Sequence, residues 1–353
     1  MVEKVNSNGN ATWKAVFNPF AHKSASMRAG RPTAQASIQH MMKELEMHFR
    51  GDYSVREDEP EHQPLKDHSL ARMEFLMRSN TEIPREFDAR RQWPNCWTVH
   101  DVRNQAGCGN CWAISTAAMI SDRICIHSAG RDQPKISVQD LTTCCDDCRF
   151  DPKGTHCSSG SVLSALLHWL NRGIVTGGSY GSSEGCRPSN FPPTCGTPCP
   201  QWLYQGDGGS PQCQTVCADH FGAELYEEDK RFANEIYWLQ LHDPSTSHQI
   251  VQRELVSRGP VVVCFLAMEH MQIYREGVYN RVESEDYPLY GHCAKLIGWG
   301  VDESSGVPFW TLANSWGRGW GEHGFLRIRR QQSGDDNDLI WRSQVVAGMP
   351  KLS

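Results

Sequence analysis

Fifteen cysteines stand in this chain of 353 residues, and none precedes Cys96. That asymmetry constrains the fold more than any other feature. A chain so dense in cysteine is expected to be stapled by disulfides in an oxidising compartment, with long loops pinned by bridges rather than by a core of their own. Residues 1–82 differ in kind. They hold no cysteine and balance 11 Lys/Arg against 11 Asp/Glu, so the whole net charge of −6 belongs to the remainder. With 39% hydrophobic residues the later part can build a sizeable core. No basic block points to nucleic acid as a partner, and no apolar run approaches the roughly 18 residues of a membrane span. The start, Met1-Val2-Glu3-Lys4, shows no hydrophobic signal core. The cysteines outweigh that observation.

Within the cysteine-free segment, Asn10-Ala11-Thr12 is a glycosylation acceptor if the protein is secreted. Ile38, Met41, Met42, Leu45 and Phe49 form an apolar helical stripe with no partner in the segment, so it must dock elsewhere. The polar run Arg56 to Pro64 reads as an exposed linker. The segment as a whole reads as removable.

From Ile83 the pattern is globular. A helical stripe of Ile114, Ala117, Ala118, Ile120 and Ile124 is followed by Val162, Leu163, Leu166, Leu167 and Leu170, stopped by Gly173. Residues 177–220, rich in Gly, Pro, Ser and Cys, have no periodicity and predict loops. Strands are expected at 261–265, 295–299, 309–313 and 325–328. Helices first and strands later predict an α+β protein of two lobes with a cleft between them.

The chemistry concentrates in Gln105-Ala106-Gly107-Cys108-Gly109-Asn110-Cys111-Trp112. The apolar stripe begins directly after it, which sets Cys111 in the first turn of a helix. Unpaired N–H groups and the positive dipole end favour an anion there, so the thiol is expected to titrate below its free value of roughly 8.5. A thiolate nucleophile is one reading. A zinc-binding half-site or a redox pair of Cys108 and Cys111 is equally open on spacing alone.

A nucleophilic cysteine needs a base and a group that orients the base. His292, in Tyr290-Gly291-His292-Cys293-Ala294-Lys295, sits where small neighbours leave room for close approach; a core histidine with a satisfied hydrogen bond is the plainer reading. Asn314 lies 22 residues on, in Ala313-Asn314-Ser315-Trp316-Gly317, where its amide can accept from the imidazole and fix its tautomer. Trp316 is placed to shield that bond from water.

Taken together, Gln105 through Trp112, Gly291-His292 and Asn314-Ser315-Trp316-Gly317 resemble the papain family of cysteine proteases. Phe87-Asp88-Ala89-Arg90, Gln92-Trp93-Pro94, Ser121 to Ile126, Gly185-Cys186-Arg187-Pro188 and Val345-Val346-Ala347-Gly348 narrow the resemblance to its cathepsin B branch. It covers residues 83–353, and Asn10 to Ala15 resembles the short propeptide of that branch. The resemblance implies an inhibitory prosegment over 1–82 and a papain-like peptidase domain over 83–353. In that domain a helical left lobe (about 98–220) faces a β-barrel-like right lobe (about 221–345), with the active site between them.

By the same resemblance Cys111 is the nucleophile, His292 the base, Asn314 its orienter, and Gln105 with the Cys111 N–H the oxyanion hole, Cys111 and His292 resting as a thiolate–imidazolium pair. Such a Cys-His-Asn set is a known variant of the serine triad. Gly160, Ser159, Gly291, Trp316 and Gln344 become substrate-binding positions. The implied bridges are Cys96–Cys125, Cys108–Cys157, Cys144–Cys213, Cys145–Cys148, Cys186–Cys217 and Cys195–Cys199. These leave Cys111, Cys264 and Cys293; the last two are read as small buried hydrophobes. With Cys108 committed to a bridge the zinc and redox readings lose their footing, and neither metal nor cofactor is expected.

Three departures from the family matter. Residues 195–213 contain no histidine, whereas the branch grips a substrate's C-terminal carboxylate with two, so carboxydipeptidase activity is expected to be weak or absent. Ser159 replaces a glycine and its Cβ would crowd a bound peptide unless φ is negative. Gln344 replaces an acidic residue at the floor of the main specificity pocket, which predicts poor acceptance of arginine there. Asn110, where the family has Ser or Ala, has no evident consequence.

The expectation is therefore a cysteine endopeptidase made as a precursor, secreted or in a lysosomal or endosomal type of vesicle. Its substrates are peptides and proteins; its own prosegment and cystatin-type proteins are its inhibitors. The Ile38–Phe49 stripe would dock on the enzyme, Arg50-Gly51 would run through the cleft, and low pH would loosen the clamp as carboxylates protonate. A catalytically inert scaffold used for binding or as a matrix protein is the alternative.

Overall fold

Apolar residues at helical spacing and apolar runs parted by turn residues sort this chain into a helical part and a sheet part. The structure is a computed structural model and describes residues 2–17, 63–150, 156–157, 159–192, 212–239, 244–281, 288–330 and 345–352. The Ile38–Phe49 stripe, Arg50-Gly51, Gln344 and the Cys195–Cys199 pair lie outside those residues.

Ahead of the first cysteine lie α1 (Val2–Ser7), β1 (Trp13–Ala15) and α2 (Gln63–Arg78), followed by β2 (Phe87–Asp88) and α3 (Ala89–Gln92). Three helices come next: α4 (Cys111–His127), α5 (Val138–Cys144) and α6 (Val162–Asn171). Residues 111–125 of α4 are all buried, so this helix is central rather than amphipathic. Helix α6 starts on Ser161, whose hydroxyl accepts from the Ser164 N–H. It ends at Gly173, where φ is +72° and the N–H caps the His168 carbonyl. The described residues between 177 and 220 form neither α-helix nor strand, as their composition predicts.

The later half gives β3 (Ala233–Leu239), α7 (Pro244–Arg258), β4 (Val261–Met268), β5 (Tyr274–Tyr279), β6 (Pro288–Val301), β7 (Pro308–Ala313), β8 (Phe325–Arg329) and β9 (Val345–Pro350). The four expected strands are β4, β6, β7 and β8. Strand order is β1-β5-β8-β7-β6-β4-β9-β3, with β2 added on β6. All described pairs are antiparallel except β5 with β8. The sheet of described strands stays open, its path ending on β1 and β3, so the expected barrel-like lobe is corrected to an open sheet within an α+β fold. All eight residues of β4 are buried, as befits a strand inside the sheet with both faces covered.

Two apolar cores result. One lies around β5–β8 and takes in Val2, Val5 and Trp13 from the N-terminal segment. The other joins α4, α5 and α6 to one face of β3, β4, β6 and β9 and contains Cys111, Trp112, Trp169, Val262 and Val346. Helix α4 packs directly on β6 and β9. That packing carries the start of α4 to the part of β6 that holds His292.

The N-terminal segment is docked at two places. Trp13 in β1 pairs with Gly277 of β5, packs on Tyr279 at 5.0 Å and donates from Nε1 to the Asn280 carbonyl. This is strand addition to a free sheet edge. Helix α2 packs on β3 and α7 at the opposite edge.

Candidate active site

Asn110 is the N-cap of α4: its carbonyl accepts from the N–H groups of Ala113 and Ile114. Its side chain is fully buried and donates to Thr142 Oγ1 at 3.0 Å. The residue that looked inconsequential in the sequence therefore ties α4 to α5. The helix starts on Cys111 itself, so its first N–H groups have no intrahelical partner.

Among the described residues Cys111 is the free cysteine. Burial raises its pKa, and this outweighs the lowering by the backbone N–H groups of Cys293, Trp112 and Cys111 that its sulfur meets. The expected depression of the thiol is corrected in this respect: the helix terminus acts in the expected direction, but desolvation is larger. His292 shows the same cause. Buried in β6, it is lowered to about 4, with the Asn314 hydrogen bond pulling the other way. Burial thus favours the uncharged form of both groups, where the resemblance implied an ion pair.

His292 Nε2 lies 2.8 Å from Asn314 Oδ1. The same oxygen accepts from the Ser315 N–H at 2.8 Å, which fixes the amide orientation and makes Nε2 the donor. The lone pair is therefore on Nδ1, which is buried without a hydrogen bond among the described residues. Aromatic rings enclose the imidazole: Trp316 at 5.0 Å, Phe265 edge-on at 5.5 Å and Tyr290 at 6.2 Å. Phe265 and Tyr290 were not singled out in the sequence; Phe265 is opposite His292 only through the β4–β6 register.

Gln105 is held at three points. Its N–H donates to the Ser315 carbonyl at 2.8 Å, its Oε1 accepts from Ser315 Oγ at 2.6 Å, and its Nε2 donates to the Cys108 carbonyl at 2.9 Å. One Nε2 hydrogen remains for a substrate oxygen. Ser315, between Asn314 and Trp316, thus anchors Gln105, a role that its neighbours in sequence do not signal.

Gly160 needs to be glycine, because a Cβ there would sit 2.6 Å from both the Trp112 ring and the Cys148 carbonyl. Ser159, next to it, is exposed. Gly291 is half-buried next to His292, opposite Leu266 of β4.

Five expected bridges form: Cys96–Cys125, Cys108–Cys157, Cys144–Cys213, Cys145–Cys148 and Cys186–Cys217. Cys264 and Cys293 were read as unpaired hydrophobes, and the structure corrects this: they face each other across β4 and β6 and are bridged. The bridge locks the strand carrying His292 to its neighbour, immediately beside the free thiol. Asp122 of α4 and Lys295 of β6 add a fully buried ion pair of 2.6 Å between the two elements that supply thiol and imidazole. Asn10 is exposed, as a glycan acceptor has to be. No cluster of His, Cys, Asp and Glu suited to a metal occurs among the described residues, and no described helix is long and apolar enough to cross a membrane.

A buried thiol, an imidazole held in one tautomer and a tethered carboxamide at a helix start are the parts needed for acyl transfer by a sulfur nucleophile. Residues 83–348 match the family described as papain family cysteine protease. "Cathepsin B-like cysteine proteinase 6" of Caenorhabditis elegans is 39% identical over 279 residues, 77% of this chain and 68% of that protein. A Schistosoma japonicum protein, "Cathepsin B-like cysteine proteinase", is 37% identical over 77% of this chain and 75% of its own length. The solved structure of "proCathepsin B S9 from Trypanosoma congolense" is 26% identical, with a TM-score of 0.65 over 99% of this chain and 97% of that one. The chain belongs to the papain family of cysteine proteases, as one of its cathepsin B-like members.

Proposed function

We propose that this cysteine protease is an endopeptidase made as a precursor and working through Cys111, His292, Asn314 and Gln105. The thiol proton passes to His292 Nδ1 as the sulfur attacks the peptide carbonyl. The tetrahedral oxygen is met by Gln105 Nε2 and the Cys111 N–H, and the imidazolium then protonates the leaving amine. Water, deprotonated by His292, releases the acyl group. Asn314 holds Nε2–H throughout. The observation that carries this reading is the buried His292–Asn314 bond, which leaves Nδ1 without a partner beside the free cysteine.

Substrate backbone runs past Gly160, Ser159 and Gly291, with Trp316 walling the leaving-group side. The lack of histidine in residues 195–213 removes a grip on C-terminal carboxylates, and Gln344 removes a charge that would attract arginine. The enzyme then cuts within chains and prefers an apolar second-position residue to arginine. Residues 1–82 supply the inhibitory prosegment, with β1 as one anchor. Cystatin-type proteins are its exogenous inhibitors, and a lysosomal, endosomal or extracellular site suits a chain with at least six bridges.

Acid-treated protein incubated with a thiol-reactive epoxide should be labelled at Cys111, and Cys111→Ala should not. Absence of labelling in the wild-type chain would favour the inert scaffold. On labelled-competent enzyme, efficient stepwise loss of C-terminal dipeptides, or a clear preference for arginine over phenylalanine in paired substrates, would refute the specificity assignment.

A further inference from the structure

Helix α2 is set apart from the rest of the N-terminal segment by how deeply it is built into the peptidase body. Its main partners are β3, at the end of the sheet path, and α7. Arg72 is 9% exposed and donates from Nη2 at 2.6 Å and Nε at 3.1 Å to one oxygen of Glu254, a fully buried carboxylate of α7. The other Glu254 oxygen accepts from Arg123 of α4 at 2.9 Å and from Tyr237 of β3. One helix from the N-terminal segment therefore completes a buried charge network reaching the helix that bears the nucleophile.

The backbone is engaged as well. Strand β3 ends the sheet path, and an edge strand leaves N–H groups unpaired. The Trp238 N–H is satisfied by the hydroxyl of Ser69, a fully buried residue of α2. Arg253 of α7 donates to the carbonyls of Leu76 and Met77 at 2.9 and 3.1 Å, capping the last turn of α2. Leu76 is 1% exposed and belongs to the sheet core. Stripping α2 away would uncover the β3 edge and remove one of the two guanidinium groups that hold Glu254.

We propose that α2 is a permanent element of the folded peptidase, retained on the active enzyme, so that the inhibitory part of the N-terminal segment ends before Gln63. This rests on the reading of the chain as a precursor but moves the boundary implied by the family, which falls near Ile83. Family members need not share it, because the anchor is a particular set of side chains: Ser69, Arg72, Leu76, Arg253 and Glu254.

The test uses the full chain, activated at low pH and isolated by gel filtration. Intact mass after reduction and N-terminal sequencing should find residues 63–78 on the active species, joined to the body or co-migrating with it. Active enzyme lacking them overturns the proposal. In parallel, Arg72→Ala in the unprocessed chain should lower the melting midpoint by several degrees, on the order of 5 °C. It should leave Cys111 as resistant to epoxide labelling as in the wild type. Labelling that appears without acid would make α2 an inhibitory element and overturn the proposal. An uncleaved chain that is fully active would sink the precursor reading alone. In that case the Arg72→Ala melt decides, and an unchanged midpoint counts against α2.

Discussion

Cys111 and His292 have the partners that the proposed mechanism asks of them, while burial opposes charge on both. Burial raises the thiol and lowers the imidazole to about 4, so in the intact chain neither stabilises the other as an ion. The N–H groups at the start of α4 do pull the thiol down, which is the effect that the position of Cys111 predicts from sequence. Desolvation depends on what lies over the thiol in the folded chain and has no local sequence signature. If removal of the inhibitory segment lets water reach the site, the penalty relaxes and the pair can ionise. The rate of alkylation of Cys111 by iodoacetamide against pH measures this. In the unprocessed chain the inflection should lie above the ordinary thiol range, and in the activated enzyme it should move down by more than one pH unit. An unprocessed chain that reacts like the activated one would show that burial does not control the thiol.

The elements that carry the site were legible to different degrees. Helices α4 and α6 were readable because their apolar residues recur at helical spacing, and β4, β6, β7 and β8 because they are apolar runs between turns. Helix α2 was missed for a physical reason. Its buried face presents Ser69 and Arg72, and Arg72 is tolerable there only because Glu254 waits 182 residues away. The Cys264–Cys293 bridge was missed in the same way, since it exists only in the β4–β6 register. Asp122 and Lys295 complete the pattern: two charges in otherwise buried elements, paired with each other, with Lys295 also donating to the Thr98 carbonyl. Removing one partner of a buried pair costs about 3–5 kcal/mol. Lys295→Met should therefore lower stability by an amount of that order in a urea titration and loosen α4 on β6. A change below about 1 kcal/mol would mean that the pair has little part in holding thiol and imidazole together.

At the scale of the whole molecule, acid acts through histidines as well as carboxylates. His168 and His248 are lowered to about 4, as His292 is, each mainly by burial; nearby Lys230 and Arg172 add to it at His168, and Arg330 at His248. Unfolded, each takes a proton near pH 6.5; folded, only near 4. Unfolding therefore takes up protons in that window, and stability present at neutral pH is lost as pH falls from 6.5 toward 4. The ceiling is about 1.4 kcal/mol per pH unit for each histidine. Asp122 and Asp140 oppose this, because burial raises them and the folded chain holds their protons at pH values where the unfolded chain does not. The double variant His168→Gln, His248→Gln separates the two contributions without touching the thiol, imidazole or carboxamide of the site. Its melting midpoint should match the wild type at pH 7.5 and fall less steeply between pH 6.5 and 4.5. Equal slopes would return acid sensitivity to His292 and to carboxylates held below their ordinary range, such as Glu254. A shallower slope would mean that acid weakens the peptidase body as well as the clamp on it, which sets a lower limit to the pH at which activation leaves a folded enzyme behind.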